Sequence, residues 1–210
     1  MILRRGCPVY GFEREGERLT AARTPEGPIL ADRFLIAAGS WSDMLTEMVG
    51  WKTGVRPIRG QIALLHVSPP LFRSVLLAGS QYLVPRPDGK VLIGSTEEDV
   101  GFDKRTTAEA IQELLRIATS LVPGLAKAQV ERCWAGLRPG SPDGRPFLGL
   151  VPGFTNLFVA TGHFRSGIQL SPGTALVMTE LLLGQPLTIP LEPFRLDRTS
   201  AHPRRSTFRS

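Results

Sequence analysis

The stretch Trp134-Ala135-Gly136-Leu137-Arg138-Pro139-Gly140-Ser141-Pro142-Asp143-Gly144-Arg145-Pro146 and a later one, Ala160-Thr161-Gly162-His163-Phe164-Arg165-Ser166-Gly167-Ile168, share one pattern. Each predicts a Gly-rich turn that follows an apolar run and presents an arginine. Glycine allows the backbone to approach a flat ligand closely because it has no Cβ. A guanidinium binds a carboxylate through two parallel hydrogen bonds. Together the two stretches predict a site for a flat ligand beside a small carboxylate.

Apolar runs that end in glycine occur before each of two predicted helices. Arg33–Gly39 is too short for a helix and predicts a buried parallel strand, and Asn156–Gly162 has the same character. The spacing Ser40-x-x-Asp43 predicts a capping box after the first run. The apolar residues of the helix that follows fall on one face, and Gly50 ends it; they are Met44, Leu45, Met48 and Val49.

The second apolar run leads into a longer helix. It is predicted from near Ser171-Pro172 to Leu183, with proline in the first turn and Gly184 as the C-cap. Amide groups at such strand-to-helix junctions either bind a phosphate or ribose or form an ordinary turn. Spacing alone favours the ordinary turn.

Antiparallel structure is predicted elsewhere in the chain. The N-terminal region shows three short strands, at Val9–Arg14, Arg18–Thr24 and Ile29–Ala31. The middle region shows strands at Gln61–Val67, Gln81–Arg86, Lys90–Gly94 and Gln129–Trp134, the second and third flanking a Pro87-Asp88-Gly89 hairpin turn. A helix opened by a Thr106-to-Glu109 capping box and ended by Pro123-Gly124 lies between them.

The predicted fold class is therefore α/β (α+β mixed), with an antiparallel-sheet domain inserted into an α/β domain. The expected boundaries are 1–50 and 140–197 for the α/β domain and 51–139 for the inserted domain. Residues 198–210, which are polar and rich in arginine, are expected to form a disordered basic tail.

Composition restricts the class of protein. The 210 residues are 42% hydrophobic and 21% charged, which is ordinary for a globular protein. No run is long and apolar enough for a membrane span, so we expect a cytoplasmic protein without membrane contacts. Cys7 and Cys133 are expected to be free thiols, and no metal site is predicted. The net charge of +6 comes from scattered basic residues, so no nucleic-acid partner is predicted.

Three motifs resemble a known family: the Arg138 stretch, Tyr82-Leu83-Val84-Pro85-Arg86, and Gly162-His163-Phe164-Arg165-Ser166-Gly167-Ile168. In this order they are similar to the substrate-and-flavin half of the glycine oxidases, within the D-amino-acid-oxidase-type FAD-dependent oxidoreductases. The resemblance extends from Val9 to Asp197. The family's opening strand, G-x-G-x-x-G and helix have no match here, so we expect the chain to correspond to the C-terminal part of that family's sequence.

The resemblance implies roles for particular residues. Arg138 matches an arginine that pairs with the substrate carboxylate, and Tyr82 matches a tyrosine that supports it. Arg165 matches a second substrate-site arginine in the flavin loop. The resemblance together with the strand-end glycines implies an FAD contact set, with Val9 at the adenine end: Val9, Gly39, Gly162, His163, Phe164, Arg165, Ser166, Gly167, Ile168 and Gln169. No catalytic acid or base is assigned.

Other interpretations of these residues stay open. Arg138 could pair with a structural carboxylate, Tyr82 could belong to the sheet core or its rim, and Arg165 could be a solvated loop residue. The implied reaction is oxidation of glycine or another small amine-bearing acid to an imine. The imine then gives an oxo acid and ammonia, and dioxygen gives hydrogen peroxide, with a link to thiamine biosynthesis. Alternatives are a sarcosine oxidase, a D-amino-acid dehydrogenase or a non-catalytic remnant, and homo-oligomerisation is left open.

Overall fold

A computed structural model describes residues 2–198 and divides them into two compact units. One unit is discontinuous in sequence and contains residues 2–56 and 138–198, whereas the other contains residues 57–137. The mixed α/β fold class, with an antiparallel sheet in the inserted segment, is confirmed. Of the predicted basic tail, residues 199–210 lie outside the described residues.

The discontinuous unit begins with a small antiparallel sheet. Its strands run in the order β1-β2-β3, namely β1 Gly11–Glu15, β2 Arg18–Thr24 and β3 Gly27–Leu30. Leu19 of β2 is fully buried in a core cluster that also contains Phe34, Ile36 and Val159. The three predicted strands are therefore present, the second with the predicted bounds and the other two with ends displaced by one or two residues.

A second sheet of this unit contains the two glycine-ended strands. Its order is β10-β11-β4, with β4 Phe34–Ile36, β10 Phe147–Leu150 and β11 Leu157–Thr161. β11 pairs with β4 in parallel, Val159 opposite Ile36, and with β10 antiparallel. The prediction of buried parallel strands is confirmed. Because parallel strands end at the same edge, the residues that follow β4 and β11 lie side by side.

The capping box predicted at Ser40 is wrong. A 3-10 turn occupies Gly39–Trp41, and helix α1 runs Ser42–Glu47 without a side-chain cap at its N-cap, Trp41. The Asp43 carboxylate instead accepts hydrogen bonds from Thr53 N and Oγ1, both at 2.7 Å, and from Gly54 N at 2.9 Å. Local spacing assigns the Asp43 carboxylate to a helix cap, but it binds Thr53 and Gly54, ten and eleven residues later in the chain. Of the four apolar residues predicted on one face, Leu45 and Val49 pack against the core, whereas Met44 and Met48 are 50% and 46% exposed.

Helix α3 begins earlier than predicted. It runs Gly167–Leu183, so Pro172 lies inside the helix and not in its first turn, while the predicted C-cap Gly184 is confirmed by its φ of 68°. Proline has no N–H to donate to the carbonyl four residues earlier, here that of Ile168. The Ser171 hydroxyl donates to that carbonyl at 2.8 Å, which compensates for the missing donor. Val177 and Met178 pack α3 against β10 and β11.

The continuous unit is built on a five-stranded sheet in the order β6-β7-β8-β5-β9. The pairs β5–β8, β6–β7 and β7–β8 are antiparallel. The strands are β5 Arg56–His66, β6 Leu76–Ala78, β7 Gln81–Pro85, β8 Lys90–Gly94 and β9 Gln129–Gly140. The first residue of β5 and the last three of β9 are assigned to the discontinuous unit. Helix α2, Ala108–Leu121, covers one face through Leu114 and Ala118.

The N-terminus of α2 is one residue later than predicted. Thr107, not Thr106, is the N-cap, and its Oγ1 accepts from Ala110 N at 3.3 Å. The fully buried Gln61 determines this position, because its Oε1 accepts from Thr107 N at 2.7 Å. The Thr106-to-Glu109 box is therefore replaced by a side-chain cap at Thr107 together with the tertiary contact to Gln61.

Two further observations concern the whole described chain. The thiols of Cys7 and Cys133 are free, as predicted. Among the helices of residues 2–198, none combines the length and the apolarity that a bilayer crossing requires.

Candidate functional site

A cavity of about 340 Å³ opens at the carboxyl edge of the β4–β11 pair. This is where open α/β sheets bind ligands, since the loops that leave neighbouring strands meet there. Its lining combines small and apolar residues with few polar groups: Leu35, Ala37, Gly39, Pro139, Ala160, Thr161, His163, Gly167, Ser171, Thr174, Ala175 and Met178. All of them belong to the discontinuous unit.

The strand ends hold two glycines in backbone conformations that other residues rarely adopt. Gly39 has a φ of 55°, and its carbonyl accepts a 3.0 Å hydrogen bond from Thr161 Oγ1. Gly162 has a φ of 79°, and an added Cβ would lie 3.1 Å from Ser141 Cβ. Substitution at either position would strain the backbone, and at Gly162 it would also push the 141 turn away.

The loop after Gly162 is the part of the second motif nearest the cavity. Phe164, at the start of a 3-10 turn over Phe164–Ser166, has a φ of 49°, which is strained for an aromatic residue. His163 Nε2 lies 2.9 Å from Thr174 Oγ1, and burial lowers the pKa of the His163 imidazole. His163 is therefore largely neutral at pH 7, which agrees with a structural role.

The N-terminus of α3 begins directly after this turn, with Gly167 at the cavity wall. Its first amide groups lack partners within the helix, and the helix dipole places partial positive charge there. Ile168 is 94% exposed at this end. Such an end favours a ligand edge that carries negative charge.

The first motif is not a turn along its whole length. β9 continues as a strand through Gly140, so Arg138 lies on an extended strand, and the turn begins only at Ser141. Pro139 lines the cavity, and Gly140 forms an antiparallel bridge with His163. The bridge joins the two motifs that sequence analysis paired. The contact is between backbone groups, so the spacing of side chains in the sequence does not predict it.

Asp143, in the turn that follows, is a residue whose role the sequence did not reveal. Arg198 donates to both of its carboxylate oxygens, at 2.8 and 2.9 Å, and to the carbonyls of Arg145 and Pro146. Burial acts to raise the pKa of Asp143, but hydrogen bonds from Arg198 and Arg145 outweigh it and hold the pKa at about 2.

Arg198 corrects the prediction for the start of the basic tail. Its side chain is only 6% exposed, and its guanidinium carbon lies 3.8 Å from the centre of the Phe147 ring. The Arg198 guanidinium donates to a carboxylate and to three carbonyls and packs on an aromatic ring. Residue 198 is therefore not part of a solvent-exposed tail. No local pattern predicts this, because all of these partners except the Arg195 carbonyl lie more than fifty residues earlier.

The remaining predicted site residues lie at different places. Gly39, His163 and Gly167 line the cavity, and Gly162 supports its wall. Phe164, Arg165, Ser166, Ile168 and Gln169 form the adjacent turn and the start of α3 without lining the cavity. Val9 packs against the core of the unit and also lies outside the lining.

Tyr82 belongs to the other unit. It pairs across the sheet with Gly94, and an added Cβ at Gly94 would lie 2.7 Å from the Tyr82 hydroxyl. Its neighbour Leu83 faces the α2-covered core, so alternation places Tyr82 on the opposite face. The Tyr82 ring lies over Gly94, where any side chain would clash with it.

Residues 1–181 match the family model described as FAD dependent oxidoreductase (DAO). The chain belongs to this family. Glycine oxidase from Pseudomonas putida is 40% identical over 192 residues, which is 91% of this chain and 53% of that protein. The hydrogen cyanide synthase subunit HcnC of Pseudomonas aeruginosa is 39% identical over 94% of this chain and 48% of its own length.

The fold agrees with a solved member of the same family. The crystal structure of glycine oxidase from Geobacillus kaustophilus superposes with a TM-score of 0.87 and 34% identity, over 92% of this chain and 52% of that one. The chain therefore spans about half the length of the relatives it matches. The chain is a glycine-oxidase-like member of the FAD-dependent oxidoreductases, and the predicted family is confirmed.

The cavity fits the flavin end of FAD, the cofactor of this family. The space that a Cβ on Gly39 would occupy is open, and Leu35, Ala37 and Ala160 supply apolar walls for a flat ring. The α3 N-terminus supplies positive potential for a polar edge. The sequence contains no G-x-G-x-x-G, so the residues present account for the ring and not for the pyrophosphate.

Proposed function

We propose that this chain forms the substrate-and-flavin part of an FAD-dependent amino-acid oxidase that acts on glycine or a similarly small amine-bearing acid. The observation that carries the proposal is the Gly140–His163 bridge at the flavin-sized cavity. It joins the strand end that bears Arg138 to the loop that precedes α3. The similarity to two bacterial glycine oxidases adds support for the substrate class.

Bound FAD supplies the acceptor for the hydride that leaves the substrate Cα, and the protein supplies orientation and electrostatics. In this proposal Arg138 binds the substrate carboxylate through paired hydrogen bonds. The family resemblance assigns Tyr82 a neutral hydrogen bond to a substrate carboxylate and assigns Arg165 to the substrate site as a second arginine. Such contacts would hold the amino acid in one orientation for the reaction.

The remaining cavity groups act on the environment of the ring. The α3 N-terminus, with Gly167 at the cavity wall, would stabilise negative charge on a bound flavin. Leu35, Ala37 and Ala160 line the cavity and would exclude water from a bound ring. His163, kept neutral by burial and bonded to Thr174, holds the loop and transfers no proton.

A neighbouring reaction of the same family is the second candidate. HcnC, which its name describes as a hydrogen cyanide synthase subunit, is as similar to this chain as the glycine oxidases are. Sarcosine oxidation and D-amino-acid dehydrogenation are further members of this group of alternatives. A role in thiamine biosynthesis belongs to the same proposal and depends on glycine as the substrate.

The test joins this chain to the part of Pseudomonas putida glycine oxidase that it does not cover, and measures steady-state turnover. Glycine, sarcosine and D-alanine are compared, with separate detection of peroxide, cyanide and reduction of an artificial acceptor. We expect glycine to give the highest kcat/KM and peroxide to be the product. Release of cyanide, or turnover only with the artificial acceptor, would favour a neighbouring reaction of the family over glycine oxidation. A folded, flavin-free protein would support the non-catalytic alternative.

Variants of the same fusion test the residue roles. Arg138→Ala should raise KM by about 10- to 150-fold, since a hydrogen-bonded charged contact contributes about 1.5–3 kcal/mol. Tyr82→Phe should raise KM by roughly 2- to 10-fold, as a neutral hydrogen bond contributes about 0.5–1.5 kcal/mol. The matched control is Arg116→Ala, which removes an exposed arginine of α2 and should leave KM unchanged. An unaltered KM in Arg138→Ala would remove that residue from the carboxylate site.

A further inference from the structure

A second cavity, of about 380 Å³, lies in the continuous unit and takes no part in the proposed function. The segment before β6 forms one side, and the end of β7 with the hairpin turn forms the other. Its lining is Pro70, Phe72, Arg73, Pro85, Arg86 and Pro87, which we call the Arg73–Arg86 groove. The volume lies in the range of small-molecule sites.

Both sides of the groove are held in place by contacts outside it. Arg86 N donates to the Lys90 carbonyl at 2.7 Å, and Gly89 N donates to the Arg86 carbonyl at 3.2 Å, which closes the hairpin turn. On the other side, Phe72 packs against the α2 core cluster. Leu71 lies so close to Gly124 that an added Cβ would be 2.8 Å from its Cδ1. A groove with fixed walls loses little conformational entropy when a ligand binds.

The two arginines of the groove differ from the other arginines of the unit. Elsewhere in residues 57–137 the arginines have partners: Arg59 with Glu98 and Asp103, Arg105 with Asp103, Arg116 with Glu113, and Arg132 with the Trp134 ring. Within the described residues, the guanidinium groups of Arg73 and Arg86 have no such partner. The nearest acid in sequence, Asp88, pairs with Lys90. The two arginines therefore supply uncompensated positive charge at one apolar groove.

We infer that the Arg73–Arg86 groove binds a small organic anion in which a carboxylate or phosphate is joined to a flat apolar body. A guanidinium matches the paired oxygens of either head group. The Phe72 ring and the three prolines offer rigid apolar surface to the body of the ligand. Glycine has no such body, so this ligand differs from the proposed substrate.

Binding is measured on the full chain by isothermal titration and by saturation-transfer NMR. The probes are benzoate and phenyl phosphate, with benzyl alcohol as the neutral analogue and inorganic phosphate as the bare anion. We expect saturable binding of the two aromatic anions at millimolar concentration or below, and at least tenfold weaker binding of the other two probes. Comparable binding of benzyl alcohol, or of inorganic phosphate, would overturn the inference.

Variants identify the site. Arg73→Gln and Arg86→Gln should each weaken binding of the aromatic anions by about tenfold or more, whereas Arg116→Gln should not change it. Both side chains are at the surface, so the variants should keep the circular dichroism spectrum of the parent chain. Arg138→Ala distinguishes this groove from the proposed substrate site and should also leave binding unchanged. Loss of binding in Arg138→Ala, with full binding in the two groove variants, would overturn the assignment.

Discussion

Arg198 and Asp143 show how one ion pair can support a distant part of a site. The guanidinium binds the carboxylate and the carbonyls of the same turn, and both side chains are less than 8% exposed. That turn continues from Gly140, which bridges to His163 at the cavity. The pair therefore stabilises the connection between the two motifs without lining the cavity. A buried charge left without its partner is strongly destabilising.

Asp143→Ala should lower the free energy of unfolding by about 3–5 kcal/mol, because it leaves the buried Arg198 guanidinium without its carboxylate. Urea denaturation followed by circular dichroism measures the change. Asp197→Ala is the control, since Asp197 pairs with Arg195 at the surface. Equal effects of the two substitutions would show that the Asp143 pair behaves as a surface pair.

Elements of the discontinuous unit are joined by a buried amide as well as by apolar packing. Asn156, 2% exposed, accepts from Leu19 N and donates to the carbonyls of Leu19 and Asp32, all at 2.9 Å. It connects β2 and the segment before β4 to the start of β11. The apolar pattern predicts β11 itself. It does not predict the role of Asn156, because the three hydrogen-bond partners of this side chain are distant in sequence.

Asn156→Ala should destabilise the protein by about 1–3 kcal/mol for each backbone group that it leaves buried and unpaired. The midpoint of urea unfolding should fall, with a slope that stays the same. Thr155→Ala is the matched neighbour, because its hydroxyl makes only one exposed contact, to the Glu17 carbonyl at 3.4 Å. If the two variants unfolded at the same urea concentration, the Asn156 bonds would contribute little.

Acidic groups with lowered pKa values are distributed over both units of the molecule. Hydrogen bonds from Arg105 lower the pKa of Asp103 to about 2, the value that Asp143 also has. Burial acts to raise the pKa of Glu98, but hydrogen bonds from Arg59, Thr96 and Gln61 outweigh it. Hydrogen bonds from Thr188 lower the pKa of Glu180. Each of these groups binds its proton less readily in the folded chain than in the unfolded chain.

The folded protein should therefore lose stability in acid. A carboxylate with a lowered folded pKa stabilises fully above its unfolded value, near 4, and the contribution is lost as the pH falls toward about 2. Urea unfolding between pH 7 and pH 2 measures this dependence. In Asp143→Asn the loss between pH 4 and pH 2 should be smaller than in the parent chain. If the stability of the parent chain and of Asp143→Asn fell in parallel with pH, Asp143 would not contribute to the acid sensitivity.

Local patterns in the sequence were sufficient for several elements. β4 and β11 were predicted as buried parallel strands, and α2 and the C-cap at Gly184 followed from apolar period and helix-end residues. Such patterns depend on neighbours within a few residues, so they can be recognised without coordinates. The start of α3 was missed because a hydroxyl next to Pro172 compensates for the missing N–H.

By itself the sequence determined the elements and, through three motifs, the family and its cofactor. Apolar periodicity, glycine and the motif residues are local properties that need no knowledge of distant partners. Only the tertiary structure decided that Asp43 binds the 53–54 turn instead of capping α1, that Arg198 pairs with Asp143, and that Gly140 meets His163 at the cavity. These contacts join residues between ten and fifty-five positions apart. Their selection depends on how the whole chain packs, which no local spacing encodes.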